Sequence, residues 1–330
     1  MLKHLNRMVL VALIVLLSNI RLCAQDPSFS QLFFNHLYLN PAYAGASKYI
    51  RLGLVYRNQW MSAKMPYTTY GVSYDRTMQG ALKSGIGINI INDVQSNGVL
   101  QRTSADFIYA YGVQTGFNSH VRGGIQASLI MKNRNFSNLT FPDMIDPDGN
   151  IIGSSGLAGS TNLMYDFSAG VAGDYDIFYG GLAVHHLFQP VENEVEGNSV
   201  YLPRKYTLHI GCEFNLYKWY RFKQKLLFSP NIIYIRQGEY QQLNLGAYFT
   251  RYQIVAGMWL RENLDLKSHT FVFTGGYSND QFRFGYSYDF GVYDKGFRGL
   301  GTSTHEVTFG WNFEYKKGKK KFRYIKCPKF

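Results

Sequence analysis

Gln281-Phe-Arg-Phe-Gly-Tyr-Ser-Tyr-Asp-Phe290 is the stretch whose reading decides the fold. Phe282, Phe284, Tyr286, Tyr288 and Phe290 take every second position, and Gln281, Arg283, Gly285, Ser287 and Asp289 fill the gaps. A period of two belongs to a strand with one apolar and one polar face. Thr304 to Tyr315 repeats the pattern, setting Val307, Phe309, Trp311, Phe313 and Tyr315 against Glu306, Thr308, Gly310, Asn312 and Glu314. A soluble sandwich would bury such an aromatic face against a second sheet. An outer-membrane barrel turns it to lipid and keeps the polar face in the lumen.

The rest of the chain favours the barrel. Similar segments begin near Tyr49, Tyr67, Ser84, Leu100, Val121, Leu163, Phe178, Tyr206, Lys225, Gln241, Gln253, His269, Gln281 and Thr304. Each is about ten residues long, as a tilted membrane strand requires, and their number is even, about fourteen. No linker or composition shift divides the 330 residues, and no long apolar run occurs beyond the start. A membrane protein of this kind must be a closed sheet, because only helices and barrels satisfy the backbone in lipid. With a periplasmic N-terminus, the two longest gaps, 133–162 and 187–205, face outward, and short turns such as 173–176 and 278–280 face inward. Outer-membrane barrels show this asymmetry. Aromatic residues, 16% of the chain, recur near segment ends, as at Tyr56 and Trp60 or Trp311 and Tyr315. Such rings favour membrane interfaces.

Residues 1–24 carry Lys3 and Arg7, then the apolar run Met8 to Leu17, and close on Leu22-Cys-Ala24. This reads as a secretory signal peptide cleaved after Ala24, the run being far short of the roughly 20 residues of a spanning helix. A lipoprotein signal at Cys23 is the competing reading, but Arg21 and Leu22 stand where small residues are needed. Cys212 and Cys327 then remain, too few for a disulfide framework or a zinc site. The net charge of +12 is concentrated at the ends: three positive charges lie in the leader and eight after Tyr315, with no acidic residue in either. About one is left for the body. A nucleic-acid partner is therefore not expected. The expected organisation is a signal peptide (1–24), an N-terminal periplasmic segment (25–47), an all-β transmembrane antiparallel barrel (48–315) and a basic periplasmic tail (316–330).

Gln25-Asp-Pro-Ser-Phe-Ser-Gln31 leads to Asn40-Pro-Ala-Tyr-Ala-Gly45, where Asn-Pro and the closing Gly are turn chemistry. With Tyr56-Arg-Asn-Gln-Trp60, His186-Leu-Phe-Gln-Pro190, Leu202-Pro-Arg-Lys-Tyr206 and Cys327-Pro-Lys-Phe330, this opening resembles the PorP/SprF family. These are outer-membrane proteins of the Bacteroidetes type IX secretion and gliding machinery. The resemblance implies a membrane component that docks other proteins, in secretion or surface retention of cargo such as a large adhesin. Its partners would be type IX components in the periplasm and outer membrane, that cargo, and outer-membrane lipid. The motif residues Asn40, Pro41, Tyr43 and Gly45 are candidate docking residues. So are Phe322, Tyr324, Cys327, Pro328 and Phe330, which interleave the charges of the tail. An outer-membrane channel or hydrophobic-compound transporter is the alternative.

Constellations for catalysis are weak, and neither an enzyme nor a cofactor is expected. The histidines are dispersed, and His185 and His186, adjacent in a strand, should point to opposite faces. Asp146-Pro-Asp-Gly-Asn150 begins like a calcium loop, but Ile151 stands where Gly is needed and Leu157 where a bidentate Glu is needed. Charges on the polar faces, among them Arg51, Arg57, Asp75, Asp106, Arg122, Asp166, Arg283 and Asp289, mix both signs. That mixture favours a lumen plugged by cross-strand pairs over a charge-selective pore.

Overall fold

Each alternating segment forms a strand in the computed structural model. It describes residues 26–61, 66–78, 84–137, 139–140, 144–146, 159–195, 198–216, 226–264, 268–292 and 303–314. The barrel strands are β1 (Tyr49–Gln59), β2 (Tyr67–Thr77), β3 (Ser84–Gln95), β4 (Leu100–Gly116), β5 (Ser119–Arg134), β6 (Ser160–Tyr175) and β7 (Phe178–His185). They continue as β8 (Lys205–Cys212), β9 (Leu226–Gln237), β10 (Tyr240–Arg251), β11 (Ile254–Asn263), β12 (Ser268–Ser278), β13 (Phe282–Val292) and β14 (Thr304–Glu314). A two-residue extension, Phe214–Asn215, carries β8 further along β9. The segment starts read from the sequence fall within three residues of these bounds.

Neighbours in the chain are neighbours in the sheet, all antiparallel, and two pairings complete the ring. β8 pairs with β9 from Lys205↔Gln237 to Gly211↔Asn231, and β1 pairs with β14 from Tyr49↔Glu314 to Gln59↔Thr304. The second pairing is the seam that joins the two ends of the sheet. Closure removes the edge strands, the condition for a sheet to lie in lipid.

The pleat follows the phase read from the sequence. On β13, Phe284 and Phe290 are 48% and 49% exposed on the outer face, whereas Ser287 and Asp289 on the inner face are buried. On β14, Phe309, Trp311 and Phe313 face outward, and Glu306, Thr308 and Asn312 inward. The inner face is not uniformly polar, however. Ile91, Ile108, Ile130, Ile233, Trp259 and Val272 are buried within the ring. A water-filled lumen would leave them wet at about 25 cal/mol per Å² of apolar surface. Something must cover them.

One rim carries the start of β1, the end of β2 and the start of β3; the opposite rim carries the start of β4, the end of β7, the start of β8 and the end of β9. The long connections after β5 and β7 lie at this opposite rim. The second contains a hairpin, Val191–Val195 with Asn198–Tyr201. It is tied down by an ion pair between Lys132 and Glu192, and beside it Leu202 packs on Ile130 and Met164.

Candidate functional site

Residues 26–47, expected in the periplasm, instead run through the lumen and cover its apolar wall. Phe29, Phe33, Phe34, Leu37, Leu39 and Tyr43 are all 1% exposed or less, more deeply buried than any run of the strands. The segment is irregular because its residues favour turns. His36–Leu39 forms a single helical turn, α1, and Asn40 then caps a 3-10 turn, Pro41–Tyr43, by accepting the Ala42 N–H at 2.9 Å. Pro41 occupies the first position, where its missing N–H costs nothing. Gly45 adopts φ +63°, open to glycine without strain.

The wall is shaped to this motif. A Cβ on Gly124 of β5 would stand 2.5 Å from the Ala42 nitrogen and the Pro41 carbonyl carbon, so only glycine admits the turn there. Asn40 Nδ2 donates to the carbonyls of Val171 at 3.0 Å and Leu182 at 3.2 Å, on β6 and β7. The Tyr43 hydroxyl meets His209 Nε2 at 2.7 Å. Phe33 lies against Tyr179, His209 and Trp259, and Phe34 lies beneath the Arg283 guanidinium, 5.0 Å from the ring centroid.

Four carboxylates anchor the segment along its course. At the rim where β1 begins, Asp75 accepts the Gly45 N–H at 2.8 Å and Arg51 Nη2 at 2.6 Å, with His36 Nε2 at 3.2 Å. Two pairs from the far end of the seam, Glu306 accepts the Ser30 and Gln31 N–H groups at 2.6 and 2.9 Å and Arg57 Nη1 at 3.1 Å. Beside it Asp289 accepts the Ser30 hydroxyl at 2.6 Å and Arg261 Nη1 at 3.1 Å. At the opposite rim the carboxylate belongs to the segment itself: Asp26 meets Arg102 at 2.5 Å, Lys205 at 2.7 Å and His186 at 2.9 Å. Burial alone would push Asp26 up, but His186, Lys205 and Arg102 hold it well below the usual carboxylate range. Burial would likewise lower His186, yet Asp26 and Asp166 outweigh it and raise the imidazole above its ordinary value. Opposite charges in a low dielectric prevail over desolvation at both groups.

Several expectations are corrected by this arrangement. Asn40, Pro41, Tyr43 and Gly45 are buried and spend their hydrogen-bonding groups inside the barrel, so they offer no surface to a partner. The lumen charges bind the segment as well as one another; Asp75, Asp289 and Glu306 all do so. His185 and His186 both turn inward, because β7 ends at His185 and His186 takes φ +58°. Phe322, Tyr324, Cys327, Pro328 and Phe330 lie outside the described residues, as does most of the calcium-like loop. Between segment and wall remains a narrow gap of mixed lining, where Tyr38, Arg102, Asp106 and His185 stand beside Ile91 and Ile130.

A family model for the type IX secretion system membrane protein PorP/SprF matches residues 22–311. The chain belongs to this family. A PorP/SprF chain is an outer-membrane component of the type IX secretion system. The matched span ends before the basic tail. Among solved structures, the CymD monoaromatic hydrocarbon channel is 13% identical, over 87% of this chain and 94% of that one, with a TM-score of 0.50. The P. putida toluene transporter TodX is 11% identical, over 84% and 93%, with a TM-score of 0.51. At these identities the likeness of PorP/SprF to both is one of fold. No match is found among curated proteins.

Proposed function

We propose that this PorP/SprF protein works by docking other proteins and not by conducting them or a small solute. The observation that carries this reading is the occupation of the lumen from rim to rim by residues 26–47. A barrel so filled has only its rims, loops and tail to offer a partner. The signal peptide is removed, the rim where β1 begins faces the periplasm, and the chain after Glu314 leaves from that rim. Residues 316–330 are the docking arm. Their eight positive charges have no acidic counterpart within the segment and attract an acidic periplasmic partner in a salt-dependent way. Phe322, Tyr324 and Phe330 add the apolar contacts that give the arm specificity. The cargo held or passed on in this way is a secreted surface protein such as a large adhesin.

Transport of a hydrophobic compound, the activity named for TodX and CymD, would need an apolar passage. The gap left beside residues 26–47 is instead narrow, and the charged groups Asp26, Arg102, Asp106 and Lys205 line it beside Ile91 and Ile130. Deleting residues 316–330 while keeping Tyr315 tests the docking reading. Insertion should persist, and co-purification with periplasmic type IX components and surface display of cargo should both be lost. Retention of both would overturn it. The intact barrel should also show no steady conductance in a planar bilayer, and an open-pore current would favour the channel.

A further inference from the structure

We propose a second function for residues 26–47: they staple the β1–β14 seam from inside and enter the lumen before that seam closes. The bonds of the segment fall on both sides of the seam. Toward β14, Ser30 and Gln31 donate their N–H groups to Glu306, and Thr308 Oγ1 donates to Gln31 Oε1 at 2.7 Å. Toward β1 and β2, Gly45 donates to Asp75, which also holds Arg51. Arg57 of β1 then reaches across to the same Glu306 carboxylate that the segment occupies. Backbone of the segment and guanidinium of β1 thus converge on one carboxylate of β14, itself fully buried.

The order of events follows from clearance and topology. Gly45 lies beside Arg51 and Asp75 at one rim, and Asp26 lies among Arg102, His186 and Lys205 at the other, so the segment spans the full height of the barrel. Four aromatic rings, Phe29, Phe33, Phe34 and Tyr43, sit 1% exposed or less between these ends. The Asn40–Ala42 turn touches the wall backbone so closely that no Cβ fits on Gly124. A closed ring leaves no room for such a segment to be drawn through afterwards. A wall laid around it needs no such passage, and each strand added gives the segment another partner.

Pulse-chase assembly of a Gln31→Cys/Thr308→Cys protein in cells tests the order. The oxidised cross-link between the two positions is compared with the appearance of the heat-modifiable, folded form. The cross-link should appear no later than the folded form; folded barrel that accumulates uncross-linked and acquires the link later would overturn the proposal. Glu306→Gln keeps size and removes charge, and should slow conversion to the folded form several-fold without changing its final migration. An unchanged rate would count against the staple. Residues 26–46 removed from the barrel chain and exported as a separate fragment should restore folding to the shortened chain. Equal folding of the shortened chain without the fragment would overturn the template role. These readouts report closure of the barrel, so they succeed or fail independently of the docking function.

Discussion

Asp26 and His186 are 160 positions apart in the chain and 2.9 Å apart at the rim opposite the start of β1. The contact marks where the N-terminal segment ends its course through the lumen. The other imidazole nitrogen is held by Asp166 at 2.7 Å, so the ring bridges two carboxylates, one on the segment and one on the wall.

The bridge makes the rim anchor sensitive to pH on both sides. His186 is raised above 6.5, so its contribution is full below that value and is lost as pH rises through the folded value. Asp26 is depressed well below 3.8, so its contribution is full above that value and is lost only as pH falls through the folded one. The temperature at which the barrel loses its folded migration should therefore be highest between these limits and fall on the alkaline side. His186→Gln should flatten the alkaline fall and leave the acid fall in place.

Asp75 holds three groups of different origin, the Gly45 N–H, Arg51 and His36, while 1% exposed. Asp75→Asn leaves the part-buried Arg51 guanidinium without its counter-charge, a change that should cost less than the ~3–5 kcal/mol of a fully buried pair. Urea unfolding in detergent micelles should show a lower midpoint. It should also show faster proteolysis near Gly45, since that end of the segment loses its tie to the wall.

The strands were legible in the sequence because one face meets lipid and the other does not, so Phe284 and Ser287 obey a strict period of two. The segment from Asp26 to Ser47 was not. Its residues follow no period, since its surroundings are set by fourteen strands and not by one sheet face. Signals for it existed on the wall. Ile91, Ile108, Ile130 and Trp259 stand at positions where a watery lumen calls for polar groups, and Gly85, Gly87, Gly124 and Gly170 thin the inner face of β3, β5 and β6. An apolar and glycine-lined lumen implies an occupant, and the aromatic residues between Phe29 and Tyr43 are its natural source.

Position 284 tests the outer face. Phe284→Arg places a charge on the lipid side two residues inside the strand end, where the cost lies between the ~2–4 kcal/mol of the midplane and the ~0–1 of the interface, seen as reduced assembly and a lower unfolding midpoint, whereas Phe284→Leu should be near neutral. Ser287→Arg should also fail, for another reason. Ser287 is fully buried against Thr274, whose hydroxyl is 2.9 Å away, and the site leaves no space for the guanidinium. Ser287→Ala should be mild. Tolerance of Ser287→Arg would indicate a wet lumen at that depth.

Adjacent glycines on β5 give the sharpest test of the packed segment. Gly123 faces outward, and a Cβ there meets nothing within 4 Å. Gly124 faces inward, and a Cβ there would meet the Pro41–Ala42 backbone at 2.5 Å. Backbone cannot swing aside as the end of a flexible side chain can, so the turn must shift, and with it Asn40, whose amide spans β6 and β7. Gly124→Val should therefore destabilise by about 1–3 kcal/mol, the usual range for overpacking, whereas Gly123→Val should stay within about 0.5 kcal/mol of the parent. The displaced turn also opens the lumen where it was closed. Gly124→Val should show ion conductance in a planar bilayer, absent from both the parent and Gly123→Val. Equal stability and equal silence of the two variants would mean that Asn40 to Gly45 does not rest against β5, and that the lumen is sealed by something else.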